Sequence, residues 1–157
     1  MNIRRIEKRD LPVVLVLEKL LYKDPWNIKN FESELEHNDY AYMYVLEHDD
    51  VILGYAGFWL SYEYATITKV SINPAVQKKG LGFYLFNMIM NKAMELGATS
   101  FSLEVRESNL VAQRLYEKSG FKKQGMRKRY YSDLENAIVM IYEKGDEHYE
   151  VHYGDRE

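Results

Sequence analysis

The sequence of 157 residues contains no cysteine. This absence excludes a disulfide framework, a thiolate nucleophile and a cysteine-ligated zinc site. The sequence also lacks any run of about 18 apolar residues, so no transmembrane helix is expected. Its first residues, MNIRRIEKRDLP, lack the apolar stretch of a secretory signal peptide. Together these absences predict a soluble cytoplasmic protein.

Neither sign of charge dominates. Lysine and arginine number 21 and aspartate and glutamate 24, for a net charge of −3. No overall basic field attracts nucleic acid or an anionic membrane, so neither is expected as a partner. The length fits one domain, which we expect over residues 1–144, followed by a charged tail over residues 145–157. In that tail His148 and His152 have no evident third ligand, so no metal site is expected.

The apolar periodicity gives the element order β-α-α-β-β-β-α-β-α-β-β, typical of one mixed α/β domain. A long helix is predicted from Gly80 to Leu96, with Gly97 as its C-terminal glycine. The strand–helix–strand unit over residues 66–105 is expected to be parallel. Hairpins are predicted at two pairs of turn residues, Asp49–Asp50 and Ser132–Asp133.

The stretch QKKGLG, residues 77–82, lies between a predicted strand and this long helix. Backbone N–H groups at a helix N-terminus bind phosphate, and glycine lets the backbone approach closely. Two common phosphate loops do not match: the dinucleotide fingerprint requires glycine where Leu85 stands, and the P-loop lysine is absent. The spacing therefore leaves both a phosphate site and a plain turn open.

Three polar residues form a second candidate group. Glu104 ends a β-rich run, while Asn109 and Tyr116 are seven residues apart on the following helix and project from the same face. A carboxylate can act as a general base and a phenol as a general acid. Each residue also has an ordinary structural interpretation, as a solvated strand residue, a helix cap and a core side chain, respectively.

Together these stretches resemble the GNAT superfamily of acyl-CoA N-acyltransferases. Its loop pattern, Gln/Arg-x-x-Gly-x-Gly/Ala, corresponds to residues 77–82, and the element order matches over residues 3–142. The sequences PW at Pro25–Trp26, LEVRESN, LYEKSGF and RYY followed by ENAIVM look like the RimI branch, which acetylates protein N-termini. The resemblance implies a mostly antiparallel central sheet in which the fourth and fifth strands are parallel, with helices on both faces.

The resemblance also implies acetyl-CoA as cofactor. The pyrophosphate would bind backbone amides of residues 78–83, and the strand before the loop would offer its backbone to the pantetheine and polarise the acetyl carbonyl. The implied cofactor-binding residues are Val70, Ser71, Ile72, Gln77, Lys78, Lys79, Gly80, Leu81, Gly82, Phe83 and Asn109.

By the same resemblance, an amine attacks the thioester directly, with Glu104 as general base and Tyr116 as general acid. Trp26, Tyr130 and Tyr131 would bind the substrate peptide, whose source would be a protein such as a ribosomal protein. A monomer or weak homodimer is expected. Lys69 and Asn136 depart from the branch, which carries Asn and Asp there, and this puts the identity of the acceptor in question.

Two other functions stay open on the sequence alone. A GNAT enzyme for a small amine, such as a polyamine or an antibiotic, would share the cofactor loop. A coenzyme-A-binding module without turnover would also share it, although Glu104 and Tyr116 argue for catalysis.

Overall fold

The structure, a computed structural model, describes residues 1–77 and 79–145. One sheet contains seven strands in the order β1-β2-β3-β4-β5-β7-β6, and only the β4–β5 pair is parallel. The strands are β1 (Asn2–Arg5), β2 (Ala41–His48), β3 (Val51–Ser61), β4 (Tyr64–Ile72), β5 (Ser100–Arg106), β6 (Lys122–Arg127) and β7 (Ala137–Glu143). The helices are α1 (Leu11–Leu21), α2 (Ile28–His37), α3 (Leu81–Glu95) and α4 (Leu110–Lys118). The mixed α/β fold with one parallel pair is thus confirmed.

The two faces of the sheet carry separate cores, as the alternation along β2 demonstrates. Met43 and Val45 join a buried cluster with residues of α1 and α2, whereas Tyr44 and Leu46 join a larger cluster with residues of α3. Helices therefore cover both faces. Within the described residues, no helix combines the length and the apolar character needed to cross a membrane.

Local signals place the turns. Asp49 and Asp50 join β2 to β3 with φ values of 50° and 63°, a pair of positive values that matches a tight hairpin with right-handed strand twist. Gly97 follows α3 with φ of 105°, as predicted. The last hairpin differs from the prediction: β6 ends at Arg127, so Tyr130 and Tyr131 lie in the loop between β6 and β7.

The core face of α1 includes a charged residue. Val14 and Leu17 are buried, Val13 is 46% exposed, and Glu18 is completely buried. Positions 14, 17 and 18 share one helix face, and position 13 lies about 100° away from position 14. The charged residue on this face is therefore enclosed by the sheet.

The parallel contact between β4 and β5 is short. It joins Tyr64 to Ser100, Ala65 to Phe101 and Thr66 to Ser102, and stops there. A register shift between β3 and β4 follows immediately, because Gly57 lies opposite Lys69 while Phe58 lies opposite Ile67. Beyond this bulge β4 remains paired with β3, and β5 with β7. The two central strands therefore separate, and a cleft opens between them.

The end of β4 depends on close approach to Gly54. A Cβ at this glycine would lie 2.6 Å from the Ser71 carbonyl oxygen and 2.8 Å from Ile72 Cδ1, whereas a Cβ at Gly125 of β6 would meet nothing within 4 Å. We expect Gly54→Ala to lower the free energy of unfolding by about 1–3 kcal/mol, as overpacking does.

Gly125→Ala is the matched control and should leave stability nearly unchanged. Chemical denaturation of both variants measures the difference. Equal stability of the two variants would contradict the close approach of β3 and β4.

Candidate active site

Two connected clefts lie where β4 and β5 separate. One, of about 640 Å³, is lined by the end of β4, the start of α3 and one side of α4. The other, of about 430 Å³, is lined by β4, β5 and the end of α1. They share the residues Val70, Asn109, Ala112 and Tyr116. A ligand in the first cleft can therefore reach the second past these four residues.

Every second residue at the end of β4 directs its backbone groups towards the clefts. The Val70 carbonyl accepts a hydrogen bond from the Tyr22 hydroxyl at 3.3 Å, and the Ile72 carbonyl accepts one from Gln77 Nε2 at 3.2 Å. In a strand both backbone groups of one residue point to the same edge, so the N–H groups of Val70 and Ile72 face the clefts as well. Ser71, between them, has a buried side chain, and its Oγ lies 2.6 Å from the Tyr22 hydroxyl.

The start of α3 forms the floor of the larger cleft. Gly80 caps the helix with φ of 76°, in the left-handed region, where a Cβ is unfavourable. The first N–H groups of any α-helix lack an acceptor within the helix, so the start of α3 suits an anion. Gly82 also packs closely against α4. Lys79 is exposed beside this turn, and Lys78 lies outside the described residues.

Glu104 lies on β5 with its carboxylate in the smaller cleft. Its Oε1 is 3.3 Å from Arg127 Nε. Its Oε2 is buried and finds no hydrogen-bond partner among the described residues. The carboxylate also raises the pKa of Tyr130, mainly through a hydrogen bond. Glu104 Oε2 is thus a buried carboxylate oxygen without a hydrogen-bond donor among the described residues.

Tyr116 projects from α4 at the junction of the clefts. Its ring packs at 4.8 Å against Phe86 and at 6.4 Å against Phe121. Burial raises the pKa of its hydroxyl well above the usual value, and Tyr22 and Tyr131 raise it further. The hydroxyl makes no hydrogen bond with any residue that the structure describes. It is therefore a protonated donor at neutral pH.

The loop before α4 is held by two amide side chains. Asn109 caps the helix, and its Oδ1 accepts a hydrogen bond from the Ala112 backbone at 3.1 Å. Gln113 is buried and donates to the carbonyl groups of Arg106 and Glu107, at 3.0 and 2.9 Å. The Asn109 side chain is therefore fixed at the cleft junction. Sequence reasoning missed Gln113, which lies between Asn109 and Tyr116, the two helix residues that it considered.

Two loops meet over the smaller cleft. Lys23, after α1, has its Nζ 3.3 Å from Asp133 Oδ2, and Ser132 donates a hydrogen bond to the neighbouring Asp24. Arg106 lies 3.0 Å from the Asp133 carboxylate. These contacts join the α1–α2 loop to the β6–β7 loop and narrow the entrance.

The two predicted substrate tyrosines lie on the second of these loops. Their rings make an edge contact at 5.1 Å. Tyr131 lines the smaller cleft, with the Arg106 guanidinium 4.1 Å from its ring centre. Tyr130 is 52% exposed and adjoins Glu104. Both rings are thus near the entrance.

Trp26 is placed differently. Its ring packs edge-on against Phe31 at 5.1 Å, and it is not among the residues that line the cleft. Its backbone N–H donates to Glu18 Oε2 at 2.9 Å. Glu18 Oε1 in turn accepts bonds from Lys69 Nζ at 2.6 Å and from the Tyr55 hydroxyl at 2.8 Å.

This buried charge cluster was not predicted. Lys69 lines the smaller cleft, and desolvation lowers the pKa of its ammonium, an effect that the hydrogen bond to Glu18 opposes. The signal in the sequence was the position of Glu18, four residues after Val14 on the buried stripe of α1.

Comparison with known proteins assigns this architecture to an acetyltransferase class. The model of the acetyltransferase (GNAT) family matches residues 3–121. A protein of Bacillus subtilis (strain 168), provisionally named a ribosomal protein bS18-alanine N-acetyltransferase, is 37% identical over 139 residues, which are 88% of this chain and 92% of that protein. The chain therefore belongs to the GNAT family, as the resemblance of the combined sequence stretches predicted, and it is a RimI-like, acetyl-CoA-dependent N-acetyltransferase.

Solved structures agree with this assignment. The crystal structure of the ribosomal-protein-S18-alanine N-acetyltransferase from Escherichia coli has a TM-score of 0.83 and 27% identity, with 97% of this chain and 99% of that chain covered. A spermidine N-acetyltransferase from Vibrio cholerae, in complex with CoA and spermine, has a TM-score of 0.79 at 18% identity, with 92% and 95% covered. The second likeness concerns the fold alone.

The left-handed turn at Gly80 yields a prediction for cofactor binding. Gly80→Ala should raise the Kd for coenzyme A about tenfold, because alanine disfavours this conformation by roughly 1–2 kcal/mol and displaces the first N–H groups of α3. Titration calorimetry measures the affinity.

The matched control is Gly97→Ala at the other end of the same helix, where φ is also positive and a Cβ would meet nothing within 4 Å. It should cost similar stability and leave the Kd unchanged. Equal Kd values for both variants would exclude the turn from cofactor binding.

Proposed function

We propose that this chain acetylates the N-terminal α-amine of a protein, with a ribosomal protein of the bS18 type as the natural acceptor. The observation that carries the proposal is the junction of the two clefts, where Val70, Asn109 and Tyr116 adjoin both and Glu104 lies just beyond. A donor in one cleft and an amine in the other would meet there. The names and similarity of the relatives support the acceptor class.

The larger cleft fits acetyl-CoA. Amides at the start of α3 suit its pyrophosphate, and the open edge of β4 at Val70 and Ile72 suits the pantetheine arm. Gln77, Lys79 and Asn109 flank the same path, and Ser71 supports it through Tyr22. The bound molecule supplies an acetyl thioester at the junction.

Glu104 and Tyr116 would then carry out the proton transfers. Glu104 takes a proton from the α-ammonium, directly or through water, and the neutral nitrogen forms a bond to the acetyl carbon. The backbone amide of Val70 stabilises the negative charge on the carbonyl oxygen. As the carbon–sulfur bond breaks, Tyr116 donates its proton to the departing thiolate. The acylated nitrogen then gives up its second proton, which returns to the Tyr116 oxygen directly or through water, and Glu104 releases its proton to solvent. The products are the acetylated N-terminus and coenzyme A.

The acceptor enters between the two loops that meet over the smaller cleft. Tyr131 lines this entrance and Tyr130 adjoins it, so their rings would contact an extended peptide. Trp26 would contribute indirectly, because its ring packs against Phe31 and it shapes the α1–α2 loop. A flexible N-terminus passes such a narrow opening more readily than a folded segment does.

The assigned roles predict a loss of turnover with intact cofactor binding. Tyr116→Phe and Glu104→Gln should each lower kcat by roughly 10²–10⁴-fold, the usual contribution of general acid–base catalysis. The Kd for acetyl-CoA should change little. Steady-state kinetics and calorimetry separate the two effects.

Tyr62→Phe and Glu63→Gln make the same chemical changes on the exposed turn between β3 and β4, away from the clefts, and serve as controls. Wild-type turnover in Tyr116→Phe would remove the acid role from this residue. A parallel loss of acetyl-CoA affinity would mean that the substitution disturbs binding instead.

The acceptor class is tested directly with acetyl-CoA and three kinds of amine: peptides with free N-termini, peptides with blocked N-termini and an internal lysine, and free polyamines. We expect transfer to α-amines only, with mass spectrometry locating the acetyl group. Transfer confined to polyamines would replace the proposal by a small-amine enzyme. Tight binding of acetyl-CoA without any transfer would indicate a binding module.

A further inference from the structure

The smaller cleft, in which we place the acceptor and which we call the acceptor cleft, contains a cation that neither donates nor accepts a proton in the proposed mechanism. Lys69 lines this cleft one residue before Val70, and its side chain is only 7% exposed. A buried ammonium needs compensation, because burial penalises the charged form. The surroundings of Lys69 show how this compensation is built.

Three aromatic rings and one carboxylate surround the Lys69 ammonium. Nζ lies 4.4 Å from the ring centre of Tyr22, 4.5 Å from that of Trp26 and 5.8 Å from that of Phe31. Its bond to Glu18 measures 2.6 Å. Aromatic faces combined with a carboxylate are a general receptor for ammonium ions. We call this group of four residues the cage.

The carboxylate of the cage is held independently of Lys69. Glu18 also accepts hydrogen bonds from the Tyr55 hydroxyl and from the Trp26 backbone. Glu18 is completely buried and does not line the cleft, whereas Lys69 does. The cationic residue Lys69 therefore lines the cleft, whereas the carboxylate of Glu18 that balances its charge lies behind it.

We infer that Lys69 is a specificity-determining residue: its own ammonium group occupies a cage that would otherwise bind an ammonium group of the acceptor. This inference rests on the proposed function. The enzyme would reject polyamines and peptides with a cationic second residue, and it would favour neutral or acidic residues beside the reacting amine. The physical reason is that like charges repel each other more in a partly buried site than in bulk water.

The other charges in the cleft do not duplicate this role. Lys23 and Arg106 are both paired with Asp133 at the entrance. Glu104 is 3.3 Å from Arg127. Among the described residues Lys69 forms its ion pair with Glu18, which does not line the cleft. The spermidine enzyme with the same fold illustrates that side chains, rather than the fold, must select acceptor charge.

The first test removes the internal cation. In Lys69→Ala the cage retains its carboxylate and rings, so the variant should lose thermal stability and regain it with a small ammonium ion. We expect about 50 mM propylammonium to raise its Tm by several degrees through binding to the folded state. The wild type, and the charge-free variant Glu18→Gln/Lys69→Gln, should show no such rise. Absence of a specific rise in Lys69→Ala would overturn the cage.

The second test measures selection. Two peptides that differ only in an aspartate or lysine at the second position are compared by kcat/KM. The wild type should favour the acidic peptide about tenfold or more, and Glu18→Gln/Lys69→Gln should bring the ratio to within about threefold. Lys29→Gln, which removes an exposed cation on α2, is the control and should keep the wild-type ratio.

The outcomes separate the two proposals. If the wild type acetylates no peptide, the proposed function fails, while the propylammonium experiment still decides whether the cage exists. If peptides are acetylated and the charge ratio is the same in wild type and Glu18→Gln/Lys69→Gln, the selective role of Lys69 is wrong. Should Lys69→Ala fail to fold, the double variant, which buries no unpaired charge, still measures the ratio.

Discussion

The parallel contact of β4 with β5 ends after Thr66 and Ser102, and the rest of the site depends on that separation. A pair of strands that stayed in register would satisfy each other's backbone groups and leave no edge for a ligand. At the bulge opposite Gly57, β4 separates from β5 while its pairing with β3 continues. The cost is a run of backbone groups without strand partners at Val70 and Ile72, which side chains satisfy only in part. An extended ligand can complete the hydrogen bonding there, as an added strand does.

A buried ion pair is an expensive way to join two elements, because desolvation offsets much of the attraction between the charges. The Glu18–Lys69 pair joins α1 to β4, and apolar side chains of similar volume would do so at no greater cost. The extra donors to Glu18, from Tyr55 and the Trp26 backbone, make the carboxylate position specific. Such a cluster specifies one arrangement of α1, the α1–α2 loop and β4. Its location beside the reaction junction suggests that precise placement, rather than stability, explains its presence.

Features that depend on neighbouring residues could be predicted from the sequence. The hairpin at Asp49–Asp50, the glycine that ends α3 and the cap of α4 each follow from the conformational preference of one or two residues. The catalytic roles proposed for Glu104 and Tyr116 came from family resemblance, since spacing alone also allowed structural roles. The pairing of Glu18 with Lys69, 51 residues apart, could not be predicted, because no local pattern indicates which buried carboxylate meets which lysine. The contacts that join the α1–α2 loop to the β6–β7 loop could not be predicted, for the same reason.

In the proposed arrangement the two charges of the acceptor cleft act differently on the amine. The nucleophile must lose a proton, and a nearby cation favours the neutral form of an amine whereas a carboxylate favours the charged form. Lys69 lies on β4 and Glu104 on β5, so an amine between them is repelled as an ammonium from the β4 side and deprotonated towards the β5 side. The neutral nitrogen then lies beside Val70, where the thioester would be. A cation on β4 thus assists the same proton transfer that the base on β5 performs, and acceptor selection and activation would share one electrostatic origin.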